Sequence, residues 1–275
     1  MNNIYIYKAV SNRLLKEIPK FQRILRKAKD RDVNESDTVT IIADVLSNVF
    51  GFDKYTEVTS EQTIRGTYCD LAIKLNNKIK YLIEVKAVGT DLKDNHLRQA
   101  INYGAHSGIQ WTILTNGIIW EIYSIKFVQP ISYELVCRFD FTLINPKKQE
   151  DQEKIYLLCK EGTISAAIEE YHDHVQMVNK FMIGAVTITQ PVLYTIRKEL
   201  RRISPNLRVT EEEIKDILVS EVIKREVQEG ASFDIANKKV KKLSKKIEAK
   251  PTPTPTPTPI NTEQIVPPSS DAPVT

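Results

Sequence analysis

Tyr68-Cys69-Asp70-Leu71-Ala72-Ile73 and, beyond Asn76-Asn77, Tyr81-Leu82-Ile83-Glu84-Val85-Lys86-Ala87 are two apolar runs on either side of a turn dipeptide. They predict an antiparallel hairpin with strands over 68–75 and 79–88. Successive strand side chains point to opposite faces. Tyr81, Ile83 and Val85 therefore share one face, and Leu82, Glu84 and Lys86 the other. A tight hairpin sets Asp70, near the start of the first strand, across from the later part of the second, so two carboxylates and an ammonium converge. A hard divalent cation such as magnesium prefers carboxylate oxygens and water; Asp70, Glu84 and the Val85 carbonyl are the candidate ligands. Such an ion stabilises charge on a phosphate and lowers the pKa of bound water. Lys86 would orient or help deprotonate the attacking water, or neutralise the transition state. A Glu-X-Lys pair on a strand is more often a solvated ion pair. Here an Asp comes from the partner strand, the flanks are too apolar for an exposed edge, and a helix with polar residues on one side follows.

Outward from the hairpin, helix and strand signals alternate. Asn34 or Ser36 can cap a helix whose Val39, Ile42, Val45, Leu46 and Val49 recur three and four apart, with Gly51 at its end. Residues 91–106 form a second helix with Leu92, Leu97, Ala100 and Ile101 inward. Residues 109–115 read as an apolar strand, Asn116-Gly117 as a type I′ turn and 118–125 as the hairpin partner; 132–141 add an edge strand. The expected class is α/β, a mixed sheet flanked by helices. Ahead of it, residues 1–33 are basic, and Leu14, Leu15, Ile18, Phe21, Ile24 and Leu25 recur at helical spacing. Residues 147–250 are nearly all helical. A long helix begins at Ile164 and reaches Phe181, Pro191 opens the next, and Thr210-Glu211-Glu212-Glu213 is a capping box. The expected domains are a helical extension (1–33), the α/β domain (34–146), a helical domain (147–250) and a disordered Pro-Thr tail (251–275).

The 275 residues suffice for a sizeable core, and 41% apolar with 27% charged residues is ordinary for a soluble globular protein. No apolar run approaches the roughly 20 residues of a spanning helix, and the N-terminus lacks the apolar run of a signal peptide. A membrane is therefore not an expected partner, and the expected location is the cytoplasm. Cys69, Cys137 and Cys159 are far apart and lack metal-ligand spacing, which predicts buried, reduced thiols. A net charge of +4 by itself implies no partner.

Further motifs follow in order: Leu97-Arg98-Gln99-Ala100-Ile101-Asn102-Tyr103, with Gln99 and Tyr103 on one helix face, then Trp111-Thr112-Ile113-Leu114-Thr115-Asn116-Gly117 and Trp120-Glu121-Ile122-Tyr123. With Cys69-Asp70 and Glu84-Val85-Lys86, this series resembles the PD-(D/E)XK nuclease superfamily, and within it the N-terminal nuclease domain of type I restriction-enzyme R subunits. The resemblance spans about residues 35–125. It implies a restriction-endonuclease-like fold, DNA as substrate and magnesium as cofactor, with manganese able to substitute. It makes Asp70, Glu84 and Lys86 the catalytic set and places Gln99 and Tyr103 in support of the site or near the scissile phosphate. The family's acidic residue on the first core helix maps to Glu35, with Asp44 second. Cys69 stands where the family name has Pro. No Gly-rich loop precedes a Lys-Ser/Thr pair, so no helicase motor is implied. The expected activity is endonucleolytic cleavage of DNA in restriction or phage defence. A homodimer and a protein partner that supplies motor or target recognition are compatible with it. The rivals are a non-catalytic nucleic-acid-binding module and an interaction subunit that acts only in a complex.

Weaker signals remain. His172-Asp173-His174 reads as a solvated helix face. His96 and His106 flank the Gln-Tyr helix within reach of a phosphate, and Asp91 and Asp94 read as acids at its N-terminus. Arg197, Lys198, Arg201 and Arg202 form one basic patch, and seven lysines lie between Lys238 and Lys250; both suit DNA phosphates or a solvated face.

Overall fold

The computed structural model describes residues 4–64 and 67–248. The Pro-Thr segment expected to be disordered, 251–275, lies outside them. Two compact units meet at Met177/Val178.

The first unit runs α1 (Lys8–Asp30), α2 (Glu35–Asn48), β1 (Val58–Ile64), β2 (Thr67–Leu75), β3 (Lys78–Val85), α3 (Asp94–Ser107), β4 (Trp111–Thr115), β5 (Ile119–Lys126), β6 (Ser132–Asp140), α4 (Gln149–Tyr156), α5 (Lys160–Ile164) and α6 (Ala167–Met177). The strands form one six-stranded sheet in chain order. Every neighbouring pair is antiparallel except β3–β4, which is parallel and crossed by α3. The α/β mixed sheet flanked by helices is as expected. β1 was not anticipated: Val58-Thr59-Ser60-Glu61-Gln62-Thr63-Ile64 is polar, because an edge strand has one partner and needs little apolar surface.

The alternation read from the hairpin governs the layers. Leu71, Ile73, Tyr81, Ile83 and Val85 enter the main core with Leu14, Ile18, Phe21 and Leu25 of α1 and Ile42, Val45 and Leu46 of α2. On the opposite face α3 lays Leu97 and Ile101 on Leu114, Tyr123 and Ile125, while its half-buried Tyr103 packs on Cys69, Ala72 and Leu82. Leu15, expected on the apolar stripe of α1, is exposed.

The expected boundaries at 33/34 and 146/147 do not coincide with the units. α1 buries its stripe in the same core as the sheet, as do Ile155, Tyr156 and Leu158 near α4 and Ile168 of α6. Arg13 of α1 fastens this arrangement. Its guanidinium donates to both Glu161 carboxylate oxygens at 2.8 and 2.7 Å, and its Nε to the Val49 carbonyl at 3.0 Å. All three cysteines are buried and free.

The turn at Asn76-Asn77 is as expected, whereas the one at Asn116-Gly117 differs in type. Asn76 and Asn77 both have positive φ (49° and 60°) and link Leu75 to Lys78, so the two-residue I′ geometry belongs there. At Asn116-Gly117 only Gly117 is left-handed (φ 84°), and the Asn116 carboxamide oxygen accepts the N–H groups of Ile118 and Ile119. A Cβ on Gly117 would also lie 2.8 Å from Leu25 Cδ2, so this turn needs glycine for its backbone and for the seat of α1.

The second unit holds α7 (Lys180–Thr187), α8 (Gln190–Ile203), α9 (Glu211–Ile217) continued by a π-helical turn (Leu218–Val222), α10 (Arg225–Gln228) and α11 (Ala231–Glu248). The long helix expected from Ile164 to Phe181 is broken: α6 ends at Met177, and Asn179 caps α7 by accepting the N–H groups of Phe181 and Met182. Pro191 and Thr210 start α8 and α9 as read. Among the described residues no helix is long and apolar enough to cross a membrane.

Candidate active site

β3 and β4 end together at the Val85–Thr115 pair, and beyond it the chain leaves β3 for the α3 crossover. The carboxyl end of a parallel pair is where α/β sheets leave an open crevice. Glu84 stands one residue before that end, beside Leu114 on the α3 face of the sheet. Lys86 extends the run beyond it, its N–H held by the Thr115 carbonyl at 2.9 Å.

Four of the expected residues come together here. Lys86 Nζ lies 2.7 Å from Glu84 Oε1 and 3.5 Å from Glu35 Oε1. Asp70 Oδ2 accepts the Val85 N–H at 2.7 Å, which carries its carboxylate across the hairpin to the end of β3. Glu35 is the first residue of α2, behind the Asn34 cap, whose Oδ1 accepts the Asp37 N–H. Thr38 fixes that helix end: its hydroxyl donates to the Asn34 carbonyl and accepts the Val88 N–H. Thr38 was not singled out from sequence, although a hydroxyl four residues beyond a cap is a readable signal. Asp44, the second candidate, pairs with Lys54 at 2.6 Å, and no hydrogen bond or ion pair among the described residues ties it to Glu84 or Lys86.

The electrostatics are set by burial. Glu84 is 1% exposed. Desolvation pushes its carboxyl up to about 7, with the Asp70 and Glu35 charges adding and the Lys86 hydrogen bond opposing. Asp70 is raised for the same first reason, against the Val85 N–H and the Lys86 charge. Burial pulls the Lys86 ammonium down, but the Glu84 hydrogen bond and the three nearby carboxylates outweigh it and the net shift is upward. His96, in the first turn of α3, is held below its ordinary value by burial and then by Lys86 and Lys93. Its Nδ1 accepts the Lys93 N–H at 3.3 Å.

Glu84 Oε2 is buried and has no hydrogen-bond partner among the described residues. A buried carboxylate oxygen normally finds one, so an orphan calls for a missing cation or donor. The surrounding donors are hard carboxylate oxygens, the kind magnesium and manganese take. Among the described residues no three or more His, Cys, Asp or Glu side chains form a ready metal cage. Magnesium does not need one, since it is held by one or two carboxylates and keeps several waters. The residues present therefore fit such an ion.

Gln99 and Tyr103 share a face of α3, and Gln99 Nε2 lies 3.4 Å from Tyr103 Oη. No hydrogen bond among the described residues ties either to the carboxylates. His172 departs from its expected solvated face: it hydrogen-bonds Glu134 and sets its ring edge-on to Trp111. His106 bonds the Asn102 carbonyl. Asp94 opens α3, whereas Asp91 precedes it. No family model, no curated protein and no solved structure matches this chain.

Proposed function

We propose that the chain is a metal-dependent endonuclease that hydrolyses DNA phosphodiester bonds, in restriction or phage defence. The observation that carries the proposal is Glu84: a buried carboxylate with one orphan oxygen, beside Asp70 and Lys86 at the carboxyl end of a parallel strand pair. The ordered motifs that resemble the restriction-endonuclease-like nucleases support it.

Asp70 and Glu84 would hold magnesium, or manganese in its place, with the Val85 carbonyl as a further oxygen. Bound there, the ion would neutralise phosphate charge and lower the pKa of a coordinated water. Lys86 keeps its proton at neutral pH, given the upward shift caused by its carboxylate neighbours. It therefore serves as a hydrogen-bond donor that orients the attacking water and balances charge on the phosphate, rather than as the base. Glu35 holds the Lys86 ammonium from the α2 side and so fixes its direction. The attacking water gives up one proton to solvent as its oxygen bonds to phosphorus, the bond from phosphorus to the leaving oxygen breaks, and the departing alkoxide takes up a proton from solvent. Gln99 and Tyr103 would support the DNA strand beside the scissile phosphate.

The test is cleavage of plasmid, linear duplex and single-stranded DNA with magnesium or manganese, comparing wild type with Glu84→Ala and Lys86→Ala. Metal-dependent cutting that falls by roughly 10²-fold or more in each variant is expected. A well-folded wild type that binds DNA without cutting it would turn the assignment to a binding module or to a subunit that needs a partner.

A further inference from the structure

We infer that the outward face of α8, in the second unit, is a docking strip for the phosphodiester backbone of a nucleic acid. Tyr194, Arg197, Lys198 and Arg201 are spaced three, four and seven apart and so form one column on the helix. These four alone line a cavity of about 170 Å³. Arg197 and Arg201 also line the neighbouring cavity of about 350 Å³ together with Arg208, Thr210, Glu211 and Glu212. The two cavities share Arg197 and Arg201, which brings the cations together rather than leaving them apart.

Three observations choose the ligand. First, the opposite stripe of α8 is already used: Leu193 is buried, Ile196 and Leu200 are half-buried, and the helix packs on α7 and α9 of its own unit. A basic amphipathic helix that lies in a membrane surface needs that apolar stripe free. Second, three of the four basic residues at these cavities are arginines, whose planar forks match phosphate oxygens in pairs. Arg197 spends one nitrogen on Glu211 at 3.1 Å, yet its Nε is buried with no hydrogen-bond partner among the described residues. Third, Tyr194, 58% exposed, heads the column and offers a ring on which a base or sugar can stack. The choice of nucleic acid over an acidic peptide rests on the proposed nuclease function. The unit would then hold DNA by its backbone, without reading sequence.

The experiment measures binding of labelled duplex and single-stranded oligonucleotides, and of polyglutamate, to the full chain in EDTA across a salt series. It compares wild type with the charge reversals Lys198→Glu and Arg201→Glu combined. Both residues are exposed, and matching thermal melts establish that the variant is folded. Expected is a loss of DNA affinity of about tenfold or more, with the slope of log affinity against log salt reduced by about two. An unchanged affinity and slope would overturn the assignment even if the chain cuts DNA with metal. A loss confined to polyglutamate would overturn it in favour of a protein partner. Loss of DNA binding in the variant with no cutting by wild type would uphold the strip and reject the nuclease.

Discussion

Glu84 can be tested without any substrate. Burial raises its carboxyl to about 7 from an ordinary 4.5. Its neutral form is favoured in the folded protein, so the stability it contributes is fully present below pH about 4.5 and is lost as pH rises through about 7. The metal-free protein should lose at most about 3 kcal/mol across that window through this group. Glu84→Gln should flatten the loss in a pH series of thermal melts. If Glu84 is a ligand as proposed, magnesium would bind its charged form, and the stabilising effect of magnesium should grow as pH rises through the same window. A magnesium effect that is flat with pH would reject Glu84 as a ligand. Asp70, Glu84 and Lys86 were legible because strand alternation and a tight turn leave few placements for them. Glu35 came from the resemblance alone, since nothing in a single helix start says which strand end it will meet. The orphan Oε2 was not legible at all, because hydrogen-bond satisfaction exists only in three dimensions.

At the scale of elements, α3 sets Tyr103 against the sheet and carries the exposed Gln99 one turn before it. Gly104 lets the helix sit close. A Cβ there would overlap Ile125 Cδ1 and lie 2.6 Å from the Thr112 hydroxyl and 3.1 Å from the Ile109 carbonyl. Gly104→Ala should cost about 1–3 kcal/mol of stability by chemical denaturation, because the helix must lift off β4 and β5. A change within about 0.5 kcal/mol would mean that the helix is free to shift. The β2–β3 turn gives a second check. Asn77, at φ 60°, tolerates the left-handed region that a β-branched residue resists. Asn77→Val should destabilise by about 1–2 kcal/mol, whereas Asn77→Gly should leave stability unchanged or raise it. Asn76-Asn77 and Asn116-Gly117 looked alike as strings. Backbone geometry separates them, because the second turn spans four residues and uses the Asn116 side chain in place of a second left-handed residue. The break at Asn179 was hidden by apolar residues that continue through it, and β1 by having almost none.

For the whole molecule, the compact unit extends to Met177. A fragment of residues 1–177 should unfold cooperatively and show the same stabilisation by magnesium that the proposed function predicts for the full chain. A fragment of residues 34–146, the span expected as a domain, should not melt cooperatively. It would expose the seat of Leu14, Ile18, Phe21 and Leu25 on the main core and discard Ile155, Tyr156 and Ile168. A sharp melt from the shorter piece would show that α1 and α4–α6 are dispensable. Sequence periodicity revealed these helices but not their allegiance, which depends on which apolar stripe faces which layer.

The tie between Arg13 and Glu161 joins residues 148 positions apart. The sheet, by contrast, places each strand beside its neighbour in the chain. During synthesis, α1 is the first element of the described chain to leave the ribosome, yet the partner that locks it emerges only after all six strands. Until then its oily stripe has no complete seat, and the nascent chain must carry it uncovered or lend it to a chaperone. Arg13→Ala should therefore lower the yield of folded protein made at speed more than it lowers the melting temperature of what does fold. Pulse-chase proteolysis of nascent chains released before and after residue 161 would measure that difference.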